Sequence, residues 1–409
     1  MPLDTLIFDP TPCGFPRPRV PVQPVGLDGL SLNPPAPWAP AEHFRHFARG
    51  RYALREAYGL SGIGPGRTLL APSYHCRTML DPALALGGEL LLYPLRPDLA
   101  PDLAALDTLA DQSAAPVRAL LATHFFGIPR DFSGLAAWCA GRNIALIEDA
   151  SHTLFCEHHR PTGIGELGEF VVSSPYKFLP SPDGGLLYAC DADRLKSLST
   201  LAPSLFNELR GLNFFWSRAK ERRRNRTTLD PARIDTELAA IAADQYLPAI
   251  ERHEPTGTSA DYQPDDEGCA ALRYSRMLYR HLDIDSITRR RRVRYRQWAT
   301  ATTNLPNCRP LQPVLPEDCI PYMFPLYIDQ PEPHFYWLKQ LGLPLYRWDS
   351  IVISGCPIAD DYRLHLLQVP CHQSLNDNDM DWMIAAFSRI SACQTALADV
   401  PGRGVGVTG

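Results

Sequence analysis

The stretch from Ala145 to Tyr188 holds the residues best suited to chemistry. An apolar run ends in Glu148-Asp149, and Lys177 follows 28 residues after the aspartate, behind a second apolar run and Ser173-Ser174-Pro175-Tyr176. A Pro-Asp-Gly-Gly turn and a further apolar run come next. A carboxylate at one strand end and a lysine beyond a later strand suit pyridoxal 5'-phosphate (PLP), which needs an amine for its Schiff base and an acid opposite its pyridinium nitrogen. In open α/β sheets, ligands bind outside the carboxyl ends of the strands, where both residues fall. Lysine usage narrows the choice, because only Lys177, Lys196, Lys220 and Lys339 stand among 40 positive charges. Lys196 follows a polar helix start, Lys220 lies in the basic run RAKERRRNR, and Lys339 belongs to a predicted surface helix. Lys177 sits among aromatic and apolar residues with no acid beside it. Desolvation lowers a lysine's pKa and leaves the neutral amine that attacks an aldehyde. On spacing alone, a strand-end lysine that lays its stem along apolar surface is an equal alternative. Asp149 taken alone reads more readily as a turn or capping acid.

Other patterns carry less. Gly163-Ile-Gly165-Glu-Leu-Gly168 spells GxGxxG, but it follows a polar HHRPT stretch and precedes a strand, where a dinucleotide fingerprint follows a strand and opens a helix. It reads as a glycine-rich connection. Glu157-His158-His159 offers adjacent side chains that rarely converge on one metal ion, so a solvated loop is expected and no metal. Arg289–Arg292 with Arg294 and Arg296 reads as a solvated or ion-paired helix face.

The frame around these residues is that of a globular protein. At 409 residues the chain is long enough for two or three domains, and 45% hydrophobic with 21% charged residues excludes a disordered or fibrous chain. A formal charge of −5 gives no general pull toward nucleic acid or anionic membrane, and no apolar run reaches membrane-spanning length. The first residues lack a basic segment and an apolar core, so they do not read as a secretory signal. Eleven cysteines without a CxxC pair read as reduced thiols of a cytoplasmic protein.

Residues 1–40 are proline-rich and read as an extended arm across the surface or a partner subunit. Phe44–Tyr58 has helical spacing. Short apolar runs at Thr68–Ala71, Glu89–Leu95, Val117–Phe125, Ile144–Ile147, Phe170–Ser173 and Gly185–Ala189, with a helix over Phe132–Cys139, predict an α/β domain over residues 41–204 with a mostly parallel central sheet. Residues 205–268 break that rhythm and read as a connecting or inserted segment. Residues 269–398 read as a smaller C-terminal α+β domain. There Met323–Ile328 is a strand and His334–Leu341 a helix, and a last helix begins at Asn376-Asp377 with Met380, Met383, Ile384 and Phe387 on one face. Residues 399–409 read as a flexible tail.

Taken in order, these motifs resemble the DegT-type sugar aminotransferases, PLP enzymes with the aspartate-aminotransferase-like fold. The resemblance rests on Glu148-Asp149-Ala-Ser-His152, the glycine-rich bridge, Ser173-Ser-Pro-Tyr-Lys177 and Gly184-Gly185. It is extended by Arg49-Gly50-Arg51-Tyr-Ala-Leu54, Gly64-Pro-Gly66, Leu70-Ala-Pro-Ser-Tyr-His-Cys76, His124-Phe-Phe-Gly127 and Pro370-Cys-His-Gln-Ser-Leu375. It implies a PLP-dependent transferase fold in which Lys177 binds the cofactor and shuttles a proton, and Asp149 keeps the pyridine nitrogen protonated. His152 lies near the ring or its phenolic oxygen. Gly50 and Arg51 offer backbone amides to the phosphate, a natural anion site at a helix N-terminus. Ser174 supplies the phosphate hydroxyl, with Ser173 the alternative. Where the family stacks an aromatic ring on the cofactor this chain has Cys76, preceded by Tyr74 and His75, and any of the three could cover it. The family's "GYNYRM" segment, which reaches into the partner's site, has no good counterpart; Leu212–Trp216 is the nearest text. The implied activity is ping-pong transfer of an amino group from an amino-acid donor, glutamate, to a nucleotide-linked keto-sugar by a cytoplasmic homodimer. The alternatives are a PLP enzyme with a non-sugar substrate and a catalytically degenerate, PLP-binding regulatory paralogue.

Overall fold

A computed structural model describes residues 3–26, 28–225, 229–244 and 247–393. The expected tail over 399–409 lies outside the described residues. The chain opens with β1 (Asp4–Asp9), which joins a small sheet described below.

The large domain is a seven-stranded sheet with helices on both faces. Its strands are β2 (Phe44–Phe47), β3 (Thr68–Pro72), β4 (Glu89–Tyr93), β5 (Val117–Thr123), β6 (Ala145–Ala150), β7 (Phe170–Ser173) and β8 (Gly185–Ala189). Their order is β2-β8-β7-β6-β5-β3-β4. The five strands from β4 to β7 are mutually parallel, and β8 and β2 close one side antiparallel. Strands buried on both faces need side chains that are apolar at nearly every position, which is why β3 and β6 are buried throughout. Leu69, Leu121, Ile147 and Val172 pack toward α1 (Gly50–Leu60) and α2 (Arg77–Ala85). Leu70, Leu120 and Leu146 pack toward α3 (Leu103–Asp111) and α4 (Ser133–Arg142). The two-residue alternation therefore sends Asp149 and its neighbour Glu148 to opposite faces of β6.

The run Phe44–Phe47, expected to begin a helix, is instead β2, and the helix starts only at Gly50. Its spacing fits either structure, and the open edge of β8 decides: Phe44 pairs with Tyr188 and Phe47 with Gly185.

The connecting segment 205–268 holds α5 (Leu205–Asn225), α6 (Ile234–Ala243) and β9 (Ile250–Pro255). It is not a plain linker. Leu229, Ile234 and Leu238 complete the core of the small domain, and β9 pairs with β1. The C-terminal region adds α7 (Arg273–Arg280), α8 (Ile284–Thr302), β10 (Cys308–Pro310), β11 (Met323–Ile328), α9 (Pro331–Gln340), β12 (Ile351–Val352), α10 (Pro357–His365), β13 (Leu366–Pro370) and α11 (Asp377–Ala392). Its antiparallel sheet β10-β11-β13 packs with Trp298, Trp382, Met380, Met383 and Phe387. The Asn376 side chain caps α11 and Asp379 answers it, a reciprocal pair that satisfies two otherwise unpaired amides.

Two expectations about exposed segments change. The N-terminal region is an arm for most of its length, bonded to Gly342, Ser374, His281 and Cys156 in turn, but Asp4–Asp9 is the middle strand of the sheet β12-β1-β9. On α8, Arg291 does not belong to a solvated face. It is fully buried over the Phe178 ring, bonded to Gln373 and to the carbonyls of Pro321 and Tyr322, and burial lowers its pKa to about 10. All eleven cysteines are free. Among the described residues no helix is long and apolar enough to cross a membrane.

Candidate active site

A cavity of about 310 Å³ opens at the carboxyl ends of the central strands, where the large domain meets the small one. Its floor follows from strand geometry. Asp149 is the penultimate residue of β6, almost fully buried, and its Oδ1 accepts the Ser151 amide at 2.8 Å. Pro175 starts a single tight turn after β7, and that turn carries Lys177 back over the sheet. Both side chains line the cavity. The Lys177 ammonium lies 5.4 Å from the centre of the Tyr322 ring.

Beside them the first turn of α1 forms a cradle. A Cβ on Gly50 would run into the Ser174 hydroxyl, and one on Gly185 would strike the Arg49 carbonyl and the Gly50 nitrogen. Glycine at 185 lets β8 meet the Arg49–Gly50 backbone, and glycine at 50 leaves room for the Ser174 hydroxyl. Ser174 Oγ bonds Ser151 Oγ at 3.2 Å, and both serines face the cavity. Ser173 turns away and donates to the Phe155 carbonyl at 2.8 Å, so Ser174 is the hydroxyl available at the cradle. The first four amides of an α-helix have no intrahelical acceptor, so this turn presents N–H groups to a bound anion.

His152 stands over the floor. Its Nδ1 accepts the Phe126 amide at 3.2 Å, which leaves the proton on Nε2. Its ring stacks on Tyr322 at 4.5 Å between centroids. Burial, reinforced by the nearby Lys177 charge, holds its pKa well below the usual value, so the ring is a neutral donor. Thr123 Oγ1 and Gln368 Nε2 also line the cavity, and both are buried polar atoms with no partner in the fold. Such groups are costly to leave unpaired, which marks them as contacts for a polar ligand.

On the other face of β6, Glu148 explains the GxGxxG pattern. Its carboxylate accepts the amides of Gly165 at 2.9 Å and Gly168 at 2.7 Å, and the His124 ring at 3.1 Å. Burial works against its ionisation, but the His124 and glycine-loop contacts outweigh burial and lower its pKa. The loop is a cage for a carboxylate that pins the end of β6. Glu157 and His158 likewise tie down structure, bonding His46 and the Pro35 carbonyl. Among the described residues no metal-binding cluster is found.

The outer wall comes from elsewhere. Tyr322 precedes β11, Gln368 lies in β13, and the run Tyr346–Trp348 crosses between them, with Tyr346 bridged to Gln368. Asp261 arrives from the connecting segment, and its carbonyl accepts Arg51. Arg347 also lines the cavity, with its guanidinium bonded to Asp349 and the Leu364 carbonyl.

The fold thus gathers Gly50, Arg51, Cys76, Asp149, His152, Ser174 and Lys177 at one cavity. His75 is not brought there. It is fully buried behind the strand end, its Nδ1 donating toward the Pro72 and Ser73 carbonyls and its Nε2 accepting the Val352 amide at 3.3 Å. Desolvation lowers its pKa to about 4. Tyr74 is also enclosed, against Trp348 and Phe125, so Cys76 is the one of the three that faces the cavity. Sequence reading missed Thr123, Tyr322, Trp348, Gln368 and Asp261. Only Thr123 carried a signal, since it ends a predicted strand directly before the His124 motif.

Residues 39–213 match the DegT/DnrJ/EryC1/StrS aminotransferase family, which bears out the resemblance read from the motifs. A curated relative, dTDP-4-dehydro-2,3,6-trideoxy-D-glucose 4-aminotransferase of Saccharopolyspora spinosa, is 25% identical over 167 residues. That match spans 40% of this chain and 42% of the relative. The aminotransferase TlmJ from Streptoalloteichus hindustanus aligns over 86% of each chain with 18% identity and a TM-score of 0.56. NtdA from Bacillus subtilis, solved with bound cofactor PMP, aligns over 85% of this chain and 73% of its own at 12% identity and a TM-score of 0.57. The fold is that of the PLP-dependent aminotransferases.

Proposed function

We propose that this protein is a PLP-dependent aminotransferase that moves an amino group from an amino-acid donor, glutamate, to a nucleotide-linked keto-sugar. The observation that carries the reading is that Lys177, Asp149 and the Gly50–Ser174 cradle face one cavity. Its volume of about 310 Å³ lies in the range of small-molecule sites.

The residues present fit the cofactor. The cradle that any Cβ on Gly50 would fill takes the phosphate, on the Gly50 and Arg51 amides and the Ser174 hydroxyl. Asp149, buried at the floor of the cavity, would hold the pyridine nitrogen of the cofactor in its protonated form. His152 Nε2–H supplies a neutral donor for a phenolic oxygen, and a neutral ring is what its burial enforces. Unpartnered Thr123 Oγ1 and Gln368 Nε2 supply further polar contacts. When bound, PLP supplies an electron sink for the negative charge that develops at the substrate carbon.

Lys177 performs the two tasks left to the protein. Its amine holds the cofactor before substrate enters. Once free, the same amine would be the group placed to take up and hand back the proton of the carbon that bears the amino group. The wall of Tyr322, Tyr346 and Trp348 excludes water and orients the sugar. The reaction is ping-pong, with the donor's keto acid leaving before the keto-sugar binds. We assign the enzyme to the cytoplasm, as a homodimer whose sites lie near the subunit interface.

An absorbance spectrum of the purified protein supplied with PLP, recorded beside Lys177→Ala, tests this. A band near the visible edge should form in the wild type, vanish in the variant, and be consumed by glutamate in single turnover. A wild-type band that no amino acid consumes would favour the regulatory paralogue. No band at all would sink the cofactor assignment.

A further inference from the structure

The start of α1 breaks a local rule. A helix N-terminus carries partial positive charge and favours acids. Here the N-cap is Arg49, the second helical residue is Arg51, no side chain caps the turn, and no acid lies in it. Two guanidinium groups at the positive end of an 11-residue helix are mutually unfavourable and unfavourable with the dipole. Violations of this kind collect at functional sites, where a ligand supplies the compensation.

The two arginines are not equivalent. Arg51 is tied to the Asp261 carbonyl and closes the connecting segment onto the helix. The other cations lining the cavity are likewise committed: Arg347 to Asp349, and Lys177 to the chemistry proposed above. Arg49 lies 5.2 Å over the Tyr176 ring, adjacent to Lys177, and lines the cavity. Asp183 feels its charge, but that carboxylate is bonded to Ser275 and to the Leu272 amide. Among the described residues Arg49 forms no ion pair and no side-chain hydrogen bond. Its backbone is held rigidly, because β8 packs against its carbonyl through Gly185.

We propose that the Arg49 side chain is a phosphate-binding residue for the cofactor, supplying from the same chain a full positive charge to the cradle formed by Gly50, Arg51 and Ser174. This rests on the aminotransferase reading and deepens it. The Tyr176 ring steers the guanidinium, and the bound dianion relieves the repulsion at the helix start. Charge-assisted bonds of this type are about twice as strong as neutral ones.

The test is a binding measurement that needs no turnover. PLP and pyridoxal, which lacks the phosphate, are titrated against wild type, Arg49→Gln and Arg49→Lys, following the absorbance band of the Lys177 linkage. Arg49→Gln should weaken PLP by about tenfold or more and leave pyridoxal unchanged. Arg49→Lys should recover part of the loss. Inorganic phosphate should raise the wild-type melting temperature and lose that effect in Arg49→Gln. An equal change for PLP and pyridoxal, or none for either, overturns the proposal while leaving the cofactor reading intact. A wild type that binds neither compound overturns the cofactor reading itself, and with it this inference.

Discussion

The floor and the wall of the cavity are built by different means. The floor uses strand ends and tight turns of one sheet: Asp149 closes β6, Ser174 and Lys177 follow β7, and Gly50 opens α1. Each of these groups is held by backbone geometry or by a short bond. The wall uses Tyr322 and Trp348, held by packing against aromatic and imidazole rings, with Gln368 bridged to Tyr346 and Asp261 of the connecting segment bonded to Arg51. Under the proposed function, the chemistry would rest on the rigid element and substrate selection would fall to surfaces from the small domain and the connecting segment, which can vary without moving the floor.

The joint between floor and wall is the most sensitive point of the molecule. Gly127 has φ +84°, and a Cβ there would lie 2.5 Å from the Tyr322 amide and 2.7 Å from the His152 carbonyl. Backbone cannot yield as a side chain tip can, so Gly127→Ala should cost about 4 kcal/mol or more. Urea denaturation should show a much lower midpoint, or little folded protein should be recovered. A variant of wild-type stability would mean that floor and wall are not rigidly joined.

His75 links the β3 strand end to β12 and makes that link sensitive to pH. In the unfolded chain it protonates near 6.5, while in the fold it stays neutral until about 4. The folded pKa is depressed, so the stabilising contribution is complete above 6.5 and is lost as pH falls toward 4. The loss is on the order of 3 kcal/mol. Denaturation at pH 7.5 and 4.5 should therefore show a smaller drop for His75→Gln than for wild type. An equal drop would place the acid sensitivity elsewhere.

Trp348→Ala should have the smallest effect on stability, about 2 kcal/mol, because its ring is only partly buried. Its consequence for activity should fall on the wall alone: KM for the sugar rises several-fold while the band from Lys177 persists. Loss of the band together with the rise in KM would show that the wall also holds the cofactor.

The floor was readable because strand ends are local events. The apolar runs around Ile147 and Val172, the acid after the first and the lysine after the second follow from alternation and turn chemistry within a few dozen residues. Lysine scarcity pointed to Lys177. Where reading stopped short, several conformations fitted one pattern. Phe44–Phe47 suited a helix until β8 offered an open edge. Ser173 and Ser174 were interchangeable until the pleat turned one inward to Phe155 and the other to the cradle. Arg291 stood in a run of four arginines whose burial depends on which helix face meets Phe178.

The strands of the central sheet, the order of the motifs and the acid and lysine at the strand ends were legible in the amino-acid sequence, because hydrophobic period and turn residues act over short distances. The tertiary structure alone decided which side chains share the cavity. His75 was sealed behind β3, Trp348 and Gln368 were brought in from the far end of the chain, and Arg49 was set over the Tyr176 ring with no ion pair among the described residues. Those outcomes depend on contacts between residues hundreds of positions apart, and no local pattern encodes such distances.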